Sequence, residues 1–373
     1  MSSIKRIGIT LLVATILVLT SASFMSNDIL NRAIIIGLGL DLAQDNQLIV
    51  TAEVVSPNGS EQVGTFSKTV TVKGQTIAHA IQQISQKLGK EASLGQCALL
   101  VLGQSLYTKV DFSQIVDFFI HSYNFKESSA ICCTKGDAEQ LLNKGEAMSQ
   151  SVSLAIIAML QQQSKSVALP TNSLLQYARS QKELTCTGFV NYVEFVPSQN
   201  TDSQNPNKIQ GYFAYNKLVV FCKNQFVCIL DEQELKALSL LDKGVSGDVF
   251  VVEIQGEKLT FIVSEKNVKF DISNLDVTIN VQLKCRLART DDFGANGMLT
   301  VQTDDDLPPQ TLQAVHKQAV QLLQYFVYFA KTQNIDVIGL AEKYRQKYGS
   351  TQFVGSLQIS QVNFDINVDV KQN

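Results

Sequence analysis

Tryptophan is missing from this sequence, and only three histidines occur in its 373 residues. His79 lies beside the apolar stripe of a predicted helix, and His121 and His316 fall near helix ends. No two share metal-ligand spacing, so helix-end or surface roles are expected rather than catalysis or metal binding. The sequence has no Gly-x-Ser-x-Gly elbow, no His-Glu-x-x-His and no Cys-x-x-Cys. These absences remove the usual marks of serine hydrolases, zinc peptidases and structural zinc. A secreted hydrolase would also need a nucleophile paired with a base, and no candidate pair is visible. Charge is sparse: 17% of residues are charged, the two signs are interspersed, and the net charge is -3. Without a basic face, nucleic acid is not an expected partner.

What is present describes a folded chain. Hydrophobic residues make up 45%, and the length suggests two or three domains. The seven cysteines are an odd, irregularly spaced set. Cys132-Cys133 lies in a strand-like run, and Cys97, Cys222, Cys228 and Cys285 have apolar neighbours, so buried free thiols are expected. Spacing alone leaves a disulfide between two of them open.

The first 27 residues have the layout of an export signal or anchor. Lys5 and Arg6 precede an uncharged apolar run over 7–20, and Ser21-Ala22-Ser23 follows. As a helix the run spans about 21 Å, or about 28 Å if continued through Met25, against roughly 30 Å of bilayer hydrocarbon. Export is expected. Retention by an uncleaved helix or by partner proteins is preferred, with cleavage after Ser23 and release as the alternative.

Strands and helices alternate from residue 33 to 196. Strands are predicted over 33–36, 47–55, 65–72, 98–102, 128–134 and 189–195. Helices are predicted over 76–88, 111–121 (Ile115, Phe118 and Phe119 inward), 137–143, 149–160 with Ser149 as cap, and 171–180. Gly37 and Gly39 would let another backbone approach closely or let the first strand bend, and Asp41 would end it. A nucleotide loop is not expected there, because a polar turn and a second strand follow instead of a helix. Residues 161–166 read as a loose polar connection.

The order of elements suggests a parallel or mixed sheet with helices against it. Residues 197–208, polar and bracketed by Pro197 and Pro206, read as a linker. After it, strands are expected at 209–215 and 218–222 about a turn at Asn216-Lys217, and a helix over 231–241 capped by Asp231. An antiparallel meander (249–254, 259–263, 268–270 and 277–287), a long helix over 310–333 and final strands within 353–370 follow, and the residues leave open whether 209–373 is one domain or two. The predicted fold is therefore α+β and multi-domain, with a mixed sheet and helices first and the meander plus long helix last. Asp304-Asp305-Asp306 and Asp291-Asp292 lack calcium-loop spacing, and the triplet suits the dipole of the long helix. No catalytic, cofactor-binding or metal-binding residue is assigned, and no cofactor is expected.

Four short stretches, in order, resemble a known family. They are Asp28-Ile29 with Gly37-Leu38-Gly39-Leu40-Asp41; Gln86-Lys87-Leu88-Gly89 followed by Ala98-Leu99-Leu100-Val101; Ala214-Tyr215-Asn216-Lys217-Leu218-Val219 with Asp231-Glu232-Gln233-Glu234; and Asp336-Val337-Ile338-Gly339-Leu340-Ala341. This pattern resembles the Ger(x)C spore germination proteins, the lipoprotein C subunits of germinant receptors. The chain departs from that family at the lipobox, where Ser23 stands at the place of the lipid-bearing Cys and Phe24 at that of Trp. A hydroxyl cannot form the thioether, so lipidation at Ser23 is not expected.

The resemblance implies a small middle domain over 209–246 and a C-terminal domain over 247–373 that carries the long helix. It also implies a non-enzymatic exported accessory subunit, acting in receptor assembly or signal relay at the outer face of the spore inner membrane. Its partners would be the A- and B-type membrane subunits of the receptor, and no small-molecule ligand is expected. The alternative is a secreted small-ligand-binding protein hinged near 197–208, which ligand-dependent melting would reveal.

Overall fold

A computed structural model describes residues 31–55, 67–122, 125–144, 151–166, 173–183, 187–197, 211–242, 248–254, 256–287, 309–349 and 358–372. The expectations for 1–27, Asp28-Ile29, Ser149, 198–208, Asp291-Asp292 and Asp304-Asp305-Asp306 lie outside these residues.

In chain order the elements begin β1 (Arg32–Leu42), β2 (Leu48–Val55), β3 (Ser67–Gly74), α1 (Ile77–Leu88), β4 (Glu91–Ser93), β5 (Leu99–Leu102), α2 (Gln104–Tyr107) and α3 (Ser113–His121). Next come β6 (Ala130–Thr134), α4 (Ala138–Leu142), α5 (Val152–Ser166), α6 (Leu174–Ser180), β7 (Thr187–Pro197), β8 (Gly211–Cys222), β9 (Gln225–Leu230) and α7 (Glu232–Leu241). The chain continues through β10 (Val249–Ile254), β11 (Glu257–Ser273), β12 (Asp276–Leu287), α8 (Pro309–Gln333), α9 (Leu340–Tyr348) and β13 (Asn363–Gln372).

The first sheet has the order β3-β2-β1-β5-β6-β7-β8-β9, with β4 beside β1. Its centre, β1-β5-β6-β7, is parallel because helical connections return the chain to the same end, while hairpins make both flanks antiparallel. β5 is buried on both faces. Leu100 and Leu102 join Ile77, Ile84, Ile115 and Phe119 of α1 and α3 on one side, and Leu99 and Val101 join Leu142 and Ile156 of α4 and α5 on the other. Thr76 caps α1 through a hydrogen bond from His79 N, and Gly89 ends that helix at φ 62.

The second sheet has the order β10-β11-β12-β13. Helix α8 lies on it through Val315, Ala319, Leu323, Phe326 and Ala330, a stripe at helical spacing. One apolar cluster runs from the α4 and α5 face of the first sheet through α7 into the second sheet.

Several expectations are corrected. β1 does not end at Asp41 but continues one residue to Leu42, and it carries a bulge between Ile35 and Gly37, where its glycine lets it bend. Residues 161–166 belong to helix α5. In α3, Val116 is buried and Phe118 only half-buried. Asn216-Lys217 is not a turn, because β8 runs straight through and Asn216 is the extra residue opposite Tyr192 and Val193. The turn lies at Lys223-Asn224, both in the left-handed region (φ 51 and 62), where a two-residue hairpin needs such angles.

The segments 259–263 and 268–270 are parts of one long strand, β11, whose polar middle includes a buried lysine, Lys266, and a bulge after Val263. β10-β11-β12 is the expected antiparallel meander, but β13 pairs with β12 in parallel after the α8 crossover. The strands on either side of 197–208 pair antiparallel with each other, Pro197 opposite Gly211. That segment therefore joins neighbouring strands of one sheet, and β8 and β9, expected in a middle domain, extend the first sheet.

Candidate functional site

The Gly37-Leu38-Gly39-Leu40-Asp41 stretch crosses the middle of the first sheet. Leu38 and Leu40 face the core under α1 and α3. Gly37 and Gly39 face the other way, against α4 and α5. A β-carbon on Gly37 would overlap Ser153 Oγ, and one on Gly39 would sit 3.0 Å from Leu142 and 3.1 Å from Ala138. The glycines thus thin the strand so that two helices can press on it.

Asp41, on the same face, is buried and accepts hydrogen bonds from Ala138 N at 2.7 Å and Glu139 N at 2.9 Å, the first residues of α4. Burial raises its carboxyl to about 6, outweighing the two backbone bonds that pull it down. Glu53 on β2 stands opposite Gly37. It does for α5 what Asp41 does for α4, accepting from Val152 N and Ser153 N, each at 2.9 Å. Ser67 Oγ, at 2.6 Å, and Ser153 Oγ also donate to it. Carboxylates at helix N-termini satisfy donors that would otherwise lack partners and complement the helix dipole.

The Asp336-Val337-Ile338-Gly339-Leu340-Ala341 stretch works alike. Asp336 accepts from Leu340 N and Ala341 N, both at 2.8 Å, at the start of α9, and Gly339 takes φ 71. Burial raises the Asp336 carboxyl, again against the pull of those N–H groups. Asp231 and Glu234 form a reciprocal capping box on α7. Burial and contact with Asp231 push the Glu234 carboxyl up.

Tyr325 Oη of α8 donates to Glu234 at 2.7 Å and so ties α7 to the long helix. Beside this contact lies an open groove of ≈ 640 Å³ lined by Asn216, Lys217, Asp231, Gln233, Lys236 and Gln318 among others. Gln318 Oε1 is buried without a hydrogen-bond partner. Burial lowers the proton affinity of Lys236, whose ammonium lies 4.6 Å from the centre of the Phe250 ring. Nearby, a buried ion pair joins Lys266 to Asp248 at 3.6 Å, and Lys266 Nζ also donates to Ser239 O at 2.5 Å.

The histidines are dispersed. His79 contacts Gln83, His121 contacts the Asp117 carbonyl, and His316 is exposed on α8. Cys97, Cys132, Cys133 and Cys285 are buried free thiols, Cys228 is a half-buried one, and Cys222 is half-buried. Cys132 and Cys133 point to opposite faces of the sheet. Among the described residues no cluster of three His, Cys, Asp or Glu could hold a metal ion, and no helix is long and apolar enough to cross a membrane.

Sequence reasoning missed Glu53 and the Lys266–Asp248 pair. The available signal was a charged residue inside a strand otherwise patterned for burial.

Comparison with known proteins fits this architecture. Residues 26–195 match the Spore germination protein N-terminal domain, and residues 216–372 match the domain described as Spore germination B3/GerAC like, C-terminal. The stretch between the two matches, 196–215, runs from the end of β7 into β8. Spore germination protein B3 of Bacillus subtilis (strain 168) is 22% identical over 279 residues, covering 70% of this chain and 68% of that protein. The crystal structure of the GerBC protein aligns with 90% of this chain and 96% of its own at 16% identity, with a TM-score of 0.49. The two matched parts, which together span most of the chain, define a protein of spore germination. The chain belongs to the Ger(x)C family, the family of germinant receptor C subunits.

Proposed function

We propose that this chain is a non-enzymatic accessory subunit of a spore germinant receptor. It is exported to the outer face of the spore inner membrane and acts there in receptor assembly or signal relay beside A- and B-type membrane subunits. Retention through its N-terminal segment or through those partners fits the apolar run over 7–20 and Ser23.

The observation that carries this reading is how the family's motif carboxylates are used. Asp41 and Asp336 each have both oxygens bonded to backbone N–H groups at the start of a helix. An acid–base role needs a carboxyl within reach of a substrate proton, whereas these hold the scaffold together. This use of the motif residues supports a role carried by surfaces.

Deleting the gene tests the proposal: spores should lose their response to one class of nutrient. Unchanged germination with every nutrient tried would sink it. The polar groove beside α7 favours a second reading, a small-ligand-binding protein. A rise in melting temperature with a small polar solute would support that reading.

A further inference from the structure

The two edges of the second sheet are built differently. At one edge, β13 sends Asn363, Asp365, Asn367, Asp369 and Lys371 outward, the charged pattern that keeps an edge strand from pairing. At the other edge, β10 reads Val-Phe-Val-Val-Glu-Ile. Phe250 and Val252 are buried beneath α8, while Val249 and Val251 on the opposite face are 42% and 49% exposed. Ile262 pairs with Val249 and continues the apolar surface. Among the described residues no strand pairs with the second side of β10. β9, the edge of the first sheet, is uncharged too, but none of its large side chains is among the exposed ones.

We propose that β10 receives β10 of a second copy of this chain, antiparallel, joining two four-stranded sheets into one across a twofold axis. Register parity supports a self-contact. In an antiparallel pair, opposite residues share a face. An axis through Phe250 lays Val249 against Val251 of the other copy, and vice versa. An axis through Val251 lays Val251 on its own copy and Val249 against Glu253. Neither register sets like charges opposite each other. The same operation on β13 about Asn367 would set Asp365 against Asp369, a repulsive pair. A twofold contact requires a patch complementary to itself, and β10 meets that condition. Strand pairing over six residues is small beside a standard interface of about 1,200–2,000 Å², so the dimer is weak and grows with concentration.

The test is oxidative cross-linking of the purified full chain in detergent, across a concentration series. A variant carrying both Val249→Cys and Val251→Cys presents a reactive pair in either register. It should give a reducible species at twice 41.1 kDa, increasing with concentration, while unsubstituted chain and an Asn367→Cys variant give little. Val251→Lys, an outward substitution that the fold should tolerate, should shift wild-type sedimentation toward monomer, and Asn367→Lys should not. No doubled species, or equal cross-linking through position 367, would overturn the proposal. So would cross-linking of position 251 only to a different protein when the same variant is oxidised in producing cells.

Discussion

On the first sheet, α4 and α5 are gripped at their N-termini by carboxylates that rise from β1 and β2, while α8 lies on the second sheet along an apolar stripe. The contrast separates two ways of placing a helix. A buried carboxylate bonded to two N–H groups fixes one end of a short helix at one point. α4 is five residues long and could bury little on its own. An apolar stripe spreads its contribution over a long helix, here 25 residues, and tolerates small shifts. The seating of α4 and α5 should therefore fail through single polar substitutions, and that of α8 through loss of side-chain volume.

The largest effect is expected at Glu53. Glu53→Ala strands two N–H groups and two hydroxyls, and with each buried donor costing about 1–3 kcal/mol, urea unfolding should show a loss of about 5 kcal/mol. A loss below about 1 kcal/mol would mean that the grip is ornamental. On the second sheet Phe326→Ala opens a cavity in the stripe and should cost about 4 kcal/mol. If replacing a polar side chain of α8 cost as much as this truncation, the contrast between the helices would collapse.

Asp41 adds a pH signature. Its folded value of about 6 lies above the ordinary 3.8, so the native state holds a proton there that the unfolded chain releases. The associated stability is fully present below about 3.8 and is lost as pH rises through about 6. The stability of the wild type relative to Asp41→Asn should therefore improve as pH falls across that window, by on the order of 3 kcal/mol. A difference independent of pH would contradict the assignment. The smallest effect is expected for Tyr325→Phe, which removes one half-exposed hydrogen bond to Glu234 and should cost about 0.5–1 kcal/mol in the same urea titration.

Much of this was legible in advance. Apolar spacing located α1 and α8 to within a residue or two, because each buries one broad stripe, and Asp231 announced the cap of α7. Two kinds of information were not local. Gly37 and Gly39 could be read as freedom for the strand or as room for a close approach, but which segments approach, helices more than 95 residues away, could not be read, as the Asp41–Ala138 bond shows (|i−j| 97). The pairing of β13 with β12, and of β8 with β7 across a polar segment, depends on where distant strands find an edge. Lys266 broke the alternating pattern of β11 and so hid its continuity, because its partner Asp248 precedes a different strand. The missing catalytic marks were visible from the start, whereas the surface of β10 needed the sheet order before it meant anything.

The functional claim is tested most directly by fractionating spores of the producing organism and asking where the full chain resides. The account predicts that it is found in the inner-membrane fraction and co-purifies there with two membrane proteins. Recovery of the chain free in the medium, with no membrane partner, would contradict it.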